Sequence, residues 1–191
     1  MARPGEDVKS PNTEYAALRP TAPRFRNRGT HLTTETEAAL YNAEYAAARK
    51  LALFAHRHQR YGGDAGDEQS YFDGHLMKVV NRVQHFGIPT MVVAVLHDIV
   101  EDTDVTLPQL REVFAEDVCN SLAYLTHSKE VPYPDYIRAL CLTGDLRALR
   151  VKQADLECHI ACATGHWVDL AERKWVPALS EVLRAIYRIE Y

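Results

Sequence analysis

The residues best suited to chemistry crowd into one stretch, His97-Asp98-Ile99-Val100-Glu101-Asp102-Thr103-Asp104, which closes an apolar run. A His–Asp pair and two further carboxylates beside hydrophobic sequence are costly unless something compensates them. Read as a helix, the spacing sets His97 four residues from Glu101 and Asp98 four from Asp102, so each pair shares a face. A divalent metal held by His97 and Asp98 would have Glu101 and Asp102 one turn further on, close enough to handle a water proton. The bland reading is an acidic helix C-terminus followed by a turn. It is the weaker one, because carboxylates sit poorly against the negative end of a helix dipole.

Two ligands do not hold a metal securely, so further His or Asp residues are required from elsewhere in the chain. His75, within Tyr71-Phe72-Asp73-Gly74-His75, and Asp155, within Val151-Lys152-Gln153-Ala154-Asp155-Leu156, are the candidates. Each taken singly reads as a structural polar residue; the set spread over three helices is more telling. Lys152 shares a helix face with Asp155 and could meet a substrate phosphate or pair with an acid. His56 and His58, with Arg57 and Arg60, suit either a phosphate at a cleft mouth or a solvated helix end. His85, His127 and His166 lack partners at ligand spacing. Trp167, Trp175 and Tyr187 fit core or helix-packing positions better than a base-stacking platform.

The elements that must position these groups read as helices. Thr34-Glu35-Thr36-Glu37 has the capping-box pattern and opens a helix to about Arg60, with apolar residues at 3.6-residue spacing. A loop rich in Gly and Asp, Gly62 to Gln69, leads to a helix over about Tyr71 to His85, which Gly87 and Pro89 break. Thr90 to Val100, apolar on nearly every side, marks a central buried helix. Thr106-Leu107-Pro108-Gln109 reads as a cap with Pro in the first turn of a helix through Phe114. Further helices are expected at 116–127, 134–142, 145–163 and 175–189, and no stretch alternates over a strand's length. The expectation is an all-α single domain over 33–191, preceded by a poorly ordered arm, 1–32, rich in Pro, Arg, Asn and Thr. Arg24, Arg26 and Arg28 in that arm could touch a phosphate or a partner chain, although a solvated tail is the plainer reading.

At 191 residues and 47% hydrophobic, the chain can fill a real core. Its 22 Lys and Arg against 26 Asp and Glu leave no basic footprint for nucleic acid or an anionic membrane. The longest apolar run, Met91 to Leu96, is too short to span a bilayer, and Met1 to Arg28 holds no apolar leader segment. Cys119, Cys141, Cys158 and Cys162 form no CxxC pair. Cys158 and Cys162, one turn apart, read as buried reduced thiols rather than half a metal site. A cytoplasmic protein fits all of this.

These residues resemble the HD superfamily of metal-dependent phosphohydrolases, in which ligands arrive in the order His, His-Asp, Asp. Within it the chain is most similar to the hydrolase domain of the RelA/SpoT alarmone enzymes and to small stand-alone HD proteins. The segment Ala94-Val95-Leu96-His97-Asp98-Ile99-Val100-Glu101-Asp102-Thr103 carries the likeness, with Thr106 to Leu110 and Val118 to Thr126 after it. The resemblance implies an all-α HD bundle in which His75, His97, Asp98 and Asp155 hold one divalent ion, usually manganese. Glu101 and Asp102 would be the catalytic pair, and the reaction hydrolysis of the 3′-pyrophosphate of guanosine tetra- or pentaphosphate. Three features differ. The family's basic Ser–Gly loop is an acidic loop here, Gln59 to Gln69, leaving Arg60 as the basic element. The family's His-Pro is His75-Leu76, and His159 stands where it has Asn after the last ligand. Arg60, Lys152 and His159 are thus the expected substrate-binding residues. The alternatives are an HD-type 5′-nucleotidase or nucleoside triphosphate hydrolase, or a non-catalytic nucleotide-binding module. A homo-oligomer is compatible with each.

Overall fold

The computed structural model describes residues 34–62, 69–165 and 167–191. The expected N-terminal arm, with Arg24, Arg26 and Arg28, lies outside the described residues, as do residues 63–68 of the acidic loop, His166 and the side chains of the Thr34 capping box. Helix α1 covers Thr34–Ala55. It stops short of Arg60, since the chain turns at His56, whose carbonyl accepts from the Gln59 amide at 2.9 Å. Arg60–Tyr61 (β1) and Gln69–Ser70 (β2) then pair antiparallel, Arg60 opposite Ser70 and Tyr61 opposite Gln69. Two residues are too few to show a period-two pattern, so no strand was legible in the sequence.

The expected single helix over 71–85 is three pieces: a π-helical turn, Phe72–Leu76, helix α2, Met77–Val83, and a 3₁₀ turn, Gln84–Phe86. Gly87 ends the run at φ +93°, a backbone that favours glycine. Helix α3, Ile88–Leu96, comes next, with Pro89 in its first turn. The chain then breaks at His97-Asp98 before the one-turn α4, Ile99–Asp102. Beyond it lie α5 (Leu107–Arg111), α6 (Glu116–Leu125), α7 (Tyr133–Leu142) and α8 (Leu146–Cys162). Short α9 (Trp167–Leu170) runs into a second π-helical turn, Ala171–Trp175, and then α10, Val176–Glu190.

Helix α3 is the axis of the molecule. Val92, Val93, Ala94, Val95 and Leu96 are all fully buried, because α3 packs against α1, α2, α6 and α8 on different sides. Burying each such Val or Leu contributes about 1.5–3 kcal/mol, so this all-round apolar run anchors the segment after it. Helix α8 lies beside α2, α3, α6 and α10 and buries Ala148, Val151, Asp155 and Cys158 along one face. Its start is held by Asp145, whose carboxylate accepts from the Ala148 amide at 3.0 Å and from Ser121 Oγ at 2.8 Å. The expected cap at Thr106 is present in full, with Gln109 Oε1 accepting from the Thr106 amide at 2.8 Å.

Candidate metal centre

Three elements deliver the centre. The π-helical turn presents His75, the break between α3 and α4 presents His97 and Asp98, and mid-α8 presents Asp155. A π turn inserts one residue into a helix and rotates the side chains after the insertion, here carrying His75 inward to full burial. Gly74 permits the approach: a Cβ there would stand 3.1 Å from the Cβ atoms of Gln69 and Tyr61. One ligand atom each from His75, His97 and Asp155 lies within 4.8 Å of the others. His75 Nε2 is 3.3 Å from His97 Nε2, and Asp98 Oδ2 is 3.4 Å from the first and 3.0 Å from the second.

This donor set fits a divalent cation. His97 Nδ1 donates to the Ala94 carbonyl at 2.8 Å, which leaves its Nε2 lone pair facing His75. Asp155 Oδ1 is buried with no properly formed hydrogen bond, although nitrogens of His159, His75 and His97 lie 3.0, 3.3 and 3.7 Å away. Two imidazoles and two carboxylates aimed at one another are a donor set that could hold such a cation. The electrostatics agree. Burial would lower the imidazoles, but Asp98 and Asp155 raise His97 well above its ordinary value and raise His75 as well. Burial would raise the carboxyls, but Lys152 and the imidazoles hold Asp155, and His97 and His75 hold Asp98, well below the usual range.

Glu101 and Asp102 do not stand at the end of one long helix. The break at His97-Asp98 places both in the one-turn α4, of which Asp102 is the last residue. The spacing from Asp98 to Asp102 stays helical, the Asp102 amide donating to the Asp98 carbonyl at 2.9 Å. Glu101 turns instead to the chain after α6, where Oε1 accepts from the His127 amide at 2.7 Å. Burial raises both carboxyls above their ordinary values, with Asp98 adding to the effect.

Of the expected substrate contacts, Lys152 and His159 both turn onto Asp155. Lys152 Nζ donates to Oδ2 at 2.9 Å, and His159 stacks on Trp175 with ring centres 4.8 Å apart. Arg60 is exposed on β1. His56 is neither at a cleft mouth nor solvated; it is buried and stacks on Tyr71 at 5.1 Å. Trp175 packs against the core as expected and also borders the site through His159, Trp167 stacks outside it at 6.4 Å, and Tyr187 is 65% exposed. Cys158 is buried, which pushes its thiol up to about 11, whereas Cys162 is exposed.

Sequence reasoning missed Tyr71 and Tyr61. The Tyr71 hydroxyl donates to Asp98 Oδ2 at 2.5 Å. Tyr61 stacks on His75 at 4.9 Å, and its hydroxyl lies 3.4 Å from His159 Nδ1. The available signal was weak: aromatic residues within four of His75 in sequence, or across a loop of unknown closure.

No protein-family model matches the chain, and no curated protein sequence matches it. Among solved structures, that of a metazoan ortholog of SpoT, described as hydrolyzing ppGpp and playing a role in starvation responses, matches with a TM-score of 0.60. The likeness covers 83% of this chain and 88% of that one at 20% identity. The chain shares the all-α fold of that structure. In this fold the candidate centre lies where the π-helical turn, the α3–α4 break and mid-α8 meet.

Proposed function

We propose that the chain is a metal-dependent phosphohydrolase of nucleotides, with the 3′-pyrophosphate of guanosine tetra- or pentaphosphate as its first substrate. The observation that carries this reading is the buried convergence of His75, His97 and Asp155 within 4.8 Å, with Asp98 beside them. The ppGpp hydrolysis described for the structural neighbour supports it. A divalent ion, manganese in this reading, supplies Lewis acidity toward phosphoryl oxygens and a water of lowered pKa. His75, His97, Asp98 and Asp155 hold that ion.

The chain's other residues have separate tasks. Tyr71 orients Asp98 through its 2.5 Å hydrogen bond, and Lys152 and His159 keep Asp155 ionised. Glu101 and Asp102 take the proton of the attacking water; burial raises both carboxyls, which brings their basicity closer to the working pH. Arg60, exposed on β1, meets the substrate, with Lys152 and His159 offering their remaining exposed atoms to phosphate. The reading takes the protein to work in the cytoplasm, singly or as a homo-oligomer, on a small molecule rather than nucleic acid or membrane. No helix among the described residues is long and apolar enough to cross a membrane.

A second reading keeps the centre and changes the leaving group, to that of a 5′-nucleotidase or nucleoside triphosphate hydrolase. It is favoured by His159, which is engaged with Asp155 and stacked on Trp175 where the resembling family has Asn. The test is a screen of metal-stripped protein given manganese, with guanosine tetraphosphate, nucleoside mono- and triphosphates and NADPH, detecting phosphate and pyrophosphate separately. Pyrophosphate from guanosine tetraphosphate is the expected result. Phosphate from another nucleotide supports the second reading. Bound manganese with turnover of nothing refutes both and leaves a nucleotide-binding module.

A further inference from the structure

One network beside the centre, running from the buried His56 through half-buried Gln59 to the exposed Asp102, has no part in holding the ion. His56, at the end of α1, is only 1% exposed, and its Nδ1 lies 2.6 Å from Gln59 Oε1. Gln59 Nε2 donates in turn to the backbone carbonyl of Asp102 at 2.6 Å, across 43 residues of sequence. The directions are fixed by chemistry. A carbonyl can only accept, so the Gln59 amide nitrogen must face Asp102 and its oxygen must face His56. His56 therefore carries its proton on Nδ1 and is the donor. Burial lowers the His56 pKa, which keeps the ring in that neutral form. The same His56 ring stacks on Tyr71, whose amide donates to the Gln59 carbonyl at 3.1 Å.

What Gln59 holds is a helix that cannot hold itself. Helix α4 is four residues long, far below the length at which helices persist unaided. Its terminal carbonyls have no partners within the helix, because the chain leaves at Thr103 in extended conformation, φ −138° and ψ 177°. Besides the fully buried Ile99 at its start, three hydrogen-bonding groups secure it. Thr103 Oγ1 donates to the Ile99 carbonyl at 2.6 Å, the His127 amide binds Glu101, and Gln59 binds Asp102. Only the last acts on the residue bearing the second carboxylate.

We infer that Gln59, oriented by His56, is a positioning residue: it clamps the end of α4 so that the Asp102 carboxylate keeps a fixed place beside the metal centre. The inference rests on the reading of Asp102 as a working residue of that centre. Displacing a reacting group by about 1 Å can cost up to about a hundredfold in rate. Gln59→Met keeps the bulk of the side chain and removes the side-chain amide that reaches Asp102 and His56.

The experiment compares wild type with Gln59→Met in the full chain, using three readouts. Amide hydrogen exchange over residues 99–104 should quicken, manganese affinity by calorimetry should stay within about twofold, and kcat on guanosine tetraphosphate should fall about tenfold or more at similar KM. Unchanged exchange over 99–104 would overturn the clamp by itself, whatever the substrate proves to be. Faster exchange with wild-type kcat would overturn its role in positioning. A fall in manganese affinity equal to the loss of kcat would show general damage to the centre instead. Asp102→Asn separates the two levels: if that variant is fully active, the reading of Asp102 fails, whereas if it is inactive while Gln59→Met is not, only this inference fails.

Discussion

Lys152→Met should destabilise the metal-free protein and do so far less once manganese is bound. Lys152 Nζ stands 2.9 Å from Asp155 Oδ2, with the two side chains 12% and 4% exposed. Removing one partner of a buried pair strands the other charge and costs about 3–5 kcal/mol. Here the imidazoles of His159, His75 and His97, at 3.0 to 3.7 Å from Asp155 Oδ1, can take up part of that charge as protonated rings. The expected loss is therefore nearer the lower end, about 3 kcal/mol. Met keeps the apolar stem among Tyr133 and Tyr136, so little packing is lost; the weak attraction of the ammonium for those rings, 5.9 and 5.6 Å away, goes with it. For a chain of this size each kcal/mol moves Tm by about 2–4 °C, which gives a fall of about 6–12 °C in chelator. A divalent ion on Asp155 restores the missing positive charge, so in saturating manganese the fall should shrink to less than half. Thermal unfolding of both proteins, with chelator and with manganese, reads this directly. Equal falls in the two conditions, or none in chelator, would refute the picture of Asp155 as a carboxylate poised between Lys152 and a cation.

The same geometry sets other expectations. His97→Ala and Asp98→Ala should each abolish activity and lower bound manganese in metal analysis, whereas Glu101→Gln should retain the metal and lose most turnover; a fully active Glu101→Gln would remove Glu101 as the base. Thr106→Ala breaks the reciprocal cap of α5 and should cost about 1 kcal/mol, seen as a Tm fall of about 2–4 °C with metal binding unchanged. Glu44 is buried, which raises its carboxyl above the ordinary value even though Oε1 accepts from the Ala115 amide at 3.1 Å. A raised folded-state pKa means that stability is fully present below the unfolded value near 4.5 and lost as pH rises through the folded one. Glu44→Gln keeps the acceptor and removes that titration, so its stability relative to wild type, from urea unfolding, should improve between pH 4.5 and 7. A difference that stays flat over that range would show that Glu44 titrates as it does in the unfolded chain.

How much of this was legible in the sequence varies by element. Helix α3 was, because six apolar residues in a row leave no polar side and demand burial from every direction. The α5 cap was too, since Thr, Pro and Gln act within one turn of each other. The break at His97-Asp98 was not: both residues keep helical backbone angles, and an interruption of the hydrogen bonding over two residues leaves no mark on the apolar period. The β1–β2 pair and both π turns were also invisible, as a one- or two-residue departure carries no period of its own.

For the centre, residue type and spacing were enough to set the inventory: a His–Asp pair with two acids closing a buried helix, a His before it, and an Asp after it on a mostly apolar helix. Those are local facts. Helical spacing already set Lys152 and His159 on the face of Asp155, and packing settled the pairings between elements. It brought His75 within 3.3 Å of His97, set Tyr71 on Asp98, and sent Glu101 to the His127 amide while Gln59 took the Asp102 carbonyl. The physical reason is that a hydrogen bond or ion pair is decided at about 3 Å, and only the folded chain brings residues 22 to 43 positions apart to that distance.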